Sequence, residues 1–191
     1  MAERTDLATS PAAPSSSSTS SPVGADDARG APAQLLVVPM AGLEVTADPR
    51  HVLVTYALGS CIAVIVHDPK RRLGGMIHFM LPSSAMSPDK AREKPAMFGD
   101  TGVPLLFESM YALGTRKQDL TVKVVGGAKI CDDHGVFDIG RRNHLIVRQM
   151  FWKVGVVIAA EDVGGDGSRT ARLEVATGRT TIRTKSGERS L

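Results

Sequence analysis

Aromatic side chains are scarce in this sequence: one Trp, two Tyr and five Phe make up 4% of 191 residues. Its 23 basic and 20 acidic residues are interspersed rather than run together. Without stacking residues or a basic run, no nucleic-acid groove is expected, despite a net charge of +3 and a pI near 9.0. No apolar run approaches the roughly 20 residues that a bilayer-spanning helix needs, so direct membrane insertion is not expected either. The N-terminus offers neither a basic n-region nor an apolar h-region, which points away from a secretory signal and toward a cytoplasmic location. Cysteine is nearly absent. Without a secretory signal, Cys61 and Cys131 read as two free thiols rather than a disulfide.

What is present is an ordinary apolar fraction of 42%, enough to build one core. Residues 1–33 are Ser-, Pro- and Ala-rich, including the run Ser15-Ser16-Ser17-Ser18, and are expected to be a disordered extension. The remaining residues, 34–191, are expected to form a single domain. Short apolar, β-branched runs bounded by Gly and Pro predict strands at 34–38, 42–46, 52–57, 62–66, 76–81, 120–125, 156–160, 171–176 and 179–184. His67-Asp68-Pro69 and Lys70-Arg71-Arg72 read as a polar hairpin loop, and residues 82–97 as a loop without periodicity. Apolar spacing predicts a helix from Asp100, as cap, to Gly114, with Pro104 in its first turn. A second helix is predicted over 139–154, with Ile146, Met150 and Val154 on one face. Many strands and two helices, mostly joined by short turns, give an α+β fold: a mixed or antiparallel β-sandwich flanked by helices.

Chemistry concentrates between residues 52 and 82. Two strand-like runs flank the corner Leu58-Gly59-Ser60-Cys61, and the next run carries His78. Buried inert thiols are common, but a cysteine at a glycine corner with a histidine on a nearby strand is what a thiol nucleophile requires. Imidazole supplies the base, and the amides of Ser60 and Cys61 can face a developing oxyanion. Ser60 is a weaker candidate nucleophile, because a hydroxyl needs more activation than a thiol. Thr55 can fix the orientation and tautomer of the imidazole through a hydrogen bond. Cys131-Asp132-Asp133-His134 is too compact to surround one metal ion and no further Cys/His pair completes it, so no metal is expected. The glycine pairs at 126–127 and 164–167 lack phosphate-loop spacing and read as turns, and no cofactor is expected.

The pattern Thr55-x-Ala57-Leu58-Gly59-Ser60-Cys61, then Asp68-Pro69, then Gly75-Met76-x-His78-Phe79-Met80-Leu81-Pro82 resembles the CheD chemoreceptor glutamine deamidases. The resemblance continues through Asp100-Thr101, Gly126-Gly127-Ala128, Ile139-Gly140-x-x-Asn143, Glu161-Asp162-x-Gly164-Gly165 and Thr177-Gly178, covering about residues 40–184. It implies Cys61 as nucleophile, His78 as base and Thr55 as orienting residue, and a fold like the catalytic domain of cytotoxic necrotizing factor. It also implies methyl-accepting chemotaxis receptors as substrates, acted on at their cytoplasmic helices, with a CheC-type phosphatase as a possible further partner. His67 and the polar stretch at Cys131 depart from the family pattern, at positions away from those three residues. Two other readings compete: a binding module acting by occupancy, and a cysteine amidase or peptidase using the same residues on other substrates, with transglutamination as its variant.

Overall fold

The computed structural model describes residues 32–129 and 138–191. The expected disordered extension lies almost wholly outside the described residues, as do Cys131 and the three polar residues after it. The strands are β1 (Gln34–Val37), β2 (Gly42–Thr46), β3 (His51–Leu58), β4 (Ile62–Asp68), β5 (Leu73–Phe79), β6 (Thr121–Gly126), β7 (Ile158–Val163), β8 (Arg169–Glu174), β9 (Thr180–Thr184) and β10 (Gly187–Ser190). The α-helices are α1 (Pro88–Glu93), α2 (Gly99–Ala112) and α3 (Ile139–Val154).

These strands form two five-stranded mixed sheets, ordered β1-β3-β8-β9-β10 and β2-β5-β4-β6-β7. The pairs β1/β3 and β6/β7 are parallel and all others antiparallel. The alternation of side chains along β4 shows why the sheets stack. Ile62, Val64 and Val66 pack toward α2 and α3, with Phe79, Leu106 and Phe151. Ala63 and Ile65 point the other way, into a second core shared with Leu53, Leu173 and Ile182 of the facing sheet. A strand buried on both faces reads as a continuous apolar run, which is how it appears in the sequence. The order of layers is therefore helices, sheet, sheet, with α2 and α3 on one outer face. Rings of Phe107 and Phe151, 5.7 Å apart and near-perpendicular, lock α2 to α3.

The mixed α+β architecture agrees with expectation, and several details differ. His67 and Asp68 are not loop residues. They close β4, because the His67 Nε2–H donates to the Val175 carbonyl (2.9 Å) and Asp68 accepts the amides of Lys70 and Arg71. The strand carrying His78, expected to open at Gly74 and Gly75 ahead of the apolar run 76–81, starts at Leu73 and ends at Phe79. Gly74 and Gly75 lie inside it, where a Cβ would sit 2.9 Å from Val175 of the facing sheet and 2.9 Å from Leu106 of α2. Residues 82–97 contain α1 and two one-turn 3-10 helices, at Ser84–Met86 and Pro95–Met97. Pro88 and Pro95 start two of these segments with a preset φ, and a single turn is too short to show apolar periodicity.

Helix α2 is capped at Phe98, so Asp100 is a first-turn residue, with its carboxylate accepting from the Ser84 amide and the Ser83 and Ser84 hydroxyls. Pro104 lies in the helix interior, beyond the first turn. The buried stripe of α3 is Gly140, Asn143, Val147 and Phe151; Ile146 and Met150 flank it, and Val154 is exposed. The seventh strand runs from Ile158 to Val163, starting two residues and ending three residues later than expected. Strand β10 was not anticipated: its four residues are all exposed and polar or glycine. No helix among the described residues is long and apolar enough to cross a membrane.

Leu106 is fully buried between β5 and α2. Leu106→Ala should lower stability in urea by about 2–5 kcal/mol, the range for emptying a packed leucine site. Val157→Ala, at a position 81% exposed, should stay within about 0.5 kcal/mol. Equal shifts in the two midpoints would contradict this placement of the core.

Candidate active site

Thr55 stands on β3 and His78 on β5, so they belong to different sheets and meet in the gap between them. Both are essentially without solvent exposure. The Thr55 hydroxyl donates to the Val38 carbonyl (2.8 Å) and lies 2.7 Å from His78 Nδ1. A hydroxyl has one proton, and Val38 O has no other way to engage it. Nδ1 must therefore carry the imidazole proton and donate it to Thr55. That leaves a lone pair on Nε2, which is buried and has no partner among the described residues.

Cys61 is placed by register. His78 pairs with Ala63 across β4 and β5, and Cys61 lies two residues before Ala63, on the same inter-sheet face. It therefore occupies the position diagonal to His78. Cys61 is a free thiol and 9% exposed, the most accessible of the three candidate residues.

The corner that presents Cys61 is built from irregular backbone. Pairing of β3 with β8 slips between Thr55 and Leu58, and Ala57 takes a left-handed conformation (φ +55°) there. Bulges of this kind re-aim the chain at a strand end. Beyond the bulge, three successive carbonyls are each held. The Ala128 amide donates to Gly59 O (2.8 Å), Asn143 Nδ2 to Ser60 O (2.9 Å), and the Gly127 amide to Cys61 O (2.8 Å). Gly126 (φ +118°) permits this approach, since a Cβ there would stand 2.2 Å from Cys61 O. The amides of Ser60 and Cys61 donate to no backbone carbonyl among the described residues. Two adjacent N–H groups without a carbonyl partner, beside a thiol, are the kind of donors that an oxyanion requires.

The sequence and this geometry pose one question of family, and comparison with known proteins answers it. The family model described as CheD chemotactic sensory transduction matches residues 80–184. The probable chemoreceptor glutamine deamidase CheD 1 of Syntrophus aciditrophicus is 47% identical over 152 residues, 80% of this chain and 95% of the relative. The probable chemoreceptor glutamine deamidase CheD 2 of Anaeromyxobacter dehalogenans is 51% identical over 148 residues, 78% and 93% of the two chains. The chain belongs to the CheD family. A third relative, the probable chemoreceptor glutamine deamidase CheD of Solibacter usitatus, is 47% identical over 144 residues, 75% of this chain and 85% of its own. The family-model match begins two residues after His78. The 152-residue alignment is too long for a 191-residue chain to leave out Thr55, Cys61 and His78.

At this candidate site of a CheD-family chain, burial moves both titrations. It pushes the Cys61 thiol above its ordinary range, and pulls His78 down to about 4. The resting pair at neutral pH is therefore a thiol and a neutral imidazole. Sequence reasoning missed Asn143 as part of the site. Its signal was a polar residue at i−4 from Val147 and i−8 from Phe151, on the face that packs inward. The Val38 carbonyl left no signal, because backbone groups carry none. No cluster of metal-ligating side chains occurs among the described residues.

An unfolded histidine takes up its proton near pH 6.5, whereas folded His78 does so only near 4. Between those values the unfolded state binds more protons, so stability should fall as pH drops from 6.5 to 4 and stay flat, as far as His78 is concerned, above 6.5. The contribution is about 3 kcal/mol. NMR of the imidazole should find Nδ1 protonated at neutral pH and Nε2 titrating near 4; titration at 6.5 would contradict the burial argument.

Proposed function

We propose that this protein is a protein-glutamine deamidase that converts glutamines on the cytoplasmic helices of chemoreceptors to glutamates. Cys61 is its nucleophile, His78 its general base and acid, and Thr55 the residue that orients His78. The observation that carries this reading is the Thr55–His78 hydrogen bond. It holds the imidazole in the tautomer whose free lone pair, on Nε2, can take a proton from a thiol. Relatives named chemoreceptor glutamine deamidases support the substrate class.

The Cys61 sulfur attacks the carboxamide carbon of the substrate glutamine as its proton passes to His78 Nε2. The carbonyl oxygen becomes an oxyanion facing the Ser60 and Cys61 amides. The imidazolium then gives its proton to the departing nitrogen, ammonia leaves, and a thioester remains. Water attacks the thioester while Nε2 takes one of its protons. Collapse releases glutamate, and the proton returns to sulfur. Because the resting pair is neutral, proton transfer and attack belong to one step, and no preformed thiolate waits in the free enzyme. Each turnover adds one carboxylate to the receptor helix, altering its local charge balance.

The reading includes a cytoplasmic location, where receptor signalling helices lie, and a single catalytic domain resembling that of cytotoxic necrotizing factor. Stacked sheets with the thiol at a corner between strands support that likeness. It also includes a CheC-type phosphatase as a second partner, on family grounds.

Peptide mass spectrometry of a recombinant receptor cytoplasmic fragment tests the assignment. Wild-type protein should convert specific glutamines. Cys61→Ala should fold and convert none, a loss of more than about 10³-fold. Thr55→Ala should retain activity at a rate reduced by up to about 10²-fold, because it positions and does not react. Turnover by Cys61→Ala would sink the nucleophile assignment, and binding without conversion by the wild type would favour action by occupancy.

A further inference from the structure

Of the three carbonyls held at the cysteine corner, two are held by backbone amides and the middle one by a side chain. Asn143 Nδ2 donates to Ser60 O (2.9 Å) and also to Met80 O (2.8 Å), two residues beyond His78. One amide group thus ties the nucleophile's corner to the end of the histidine strand. Both partners are carbonyls, so the atom facing them must be the nitrogen. Asn143 is fully buried, on a stripe otherwise made of glycine and apolar residues, and its Oδ1 has no partner among the described residues. Leaving a buried acceptor unpaired is costly, and an apolar residue would fill the space without that cost. The donor is what this position requires.

A trans peptide holds its C=O and N–H antiparallel in one plane. Clamping Ser60 O therefore fixes where the N–H of the same peptide, that of Cys61, points: away from Asn143. We propose that Asn143 is a positioning residue for the deamidation. By holding the Ser60 and Met80 carbonyls together, it sets the Cys61 amide where the oxyanion of the tetrahedral intermediate forms, in register with His78. The inference rests on Cys61 being the nucleophile. Asn143 itself touches no reacting atom and acts through one peptide plane and one strand end.

Two reactions of the same sulfur separate this role from a purely structural one. Deamidation develops an oxyanion; alkylation by iodoacetamide does not. Asn143→Ala should lower kcat on the receptor fragment on the order of 10²-fold, with KM changed less than about threefold. Its rate of alkylation at Cys61, followed by peptide mass spectrometry from about pH 6 to 9, should remain within about threefold of wild type. Asn143→Ser keeps one donor and should fall between the two; it serves as the test if circular dichroism shows that Asn143→Ala does not fold. Wild-type kcat in a folded variant overturns the inference. So does an equal loss of deamidation and alkylation, which would mean that Asn143 only keeps the corner intact. Cys61→Ala, run in parallel, keeps the two claims apart. Activity without the thiol removes the nucleophile reading itself, whereas an inactive Cys61→Ala beside a fully active Asn143 variant removes only the role of Asn143.

Discussion

One hydroxyl proton organises the space between the two sheets. Thr55 gives it to the Val38 carbonyl, and that commitment forces the imidazole of His78 to donate from Nδ1 and to leave Nε2 bare. Three strands must be in register for this to happen: β1 to bring Val38, β3 to bring Thr55, and β5 of the opposite sheet to bring His78. In a gap closed to water such a chain of hydrogen bonds is strong and directional, and a missing member leaves a buried polar group unpaired. Leu53, Ile65, Met76 and Leu173 belong to the same inter-sheet core as Val38 and Cys61.

The same enclosure sets the resting chemistry. Desolvation disfavours charge on either partner, so it raises the thiol and lowers the imidazole, and neither is ionised at rest. A buried neutral thiol is a poor target for adventitious oxidants and electrophiles, because reactivity follows the thiolate. In the proposed reaction, an arriving acyl carbon accepts the sulfur's electrons while Nε2 accepts its proton, so basal nucleophilicity is traded for selectivity.

Around the thiol, the backbone supplies what side chains do not. The bulge at Ala57, the held carbonyls of Gly59, Ser60 and Cys61, and the side-chain-free Gly126 fix the corner and leave two amides without a carbonyl acceptor among the described residues. A left-handed alanine costs of order 1–2 kcal/mol, and strain of this kind persists where surrounding contacts over-determine the conformation. Here those contacts come from the 126–128 turn and from α3, elements more than 60 residues away in the chain.

Local physics was enough to read much of this protein. β-branched runs cut by Gly and Pro place most of the strands, apolar spacing places α2 and α3, and a lone cysteine at a glycine corner with one histidine on the next strand marks the candidate site. These signals are legible because alternation, helical period and turn chemistry are properties of neighbouring residues. The sequence alone misjudged the end of β4, where His67 and Asp68 look like loop residues until Val175 and the following turn supply their partners. It also missed β10, a polar strand whose only reason to exist is the edge of β9, and Asn143, whose two acceptors lie 83 and 63 residues away. Residue types and their order determined which groups can react. Only the stacking of one sheet on the other decided which of them meet and in which tautomer, because hydrogen bonds across a buried gap depend on contacts that no stretch of sequence contains.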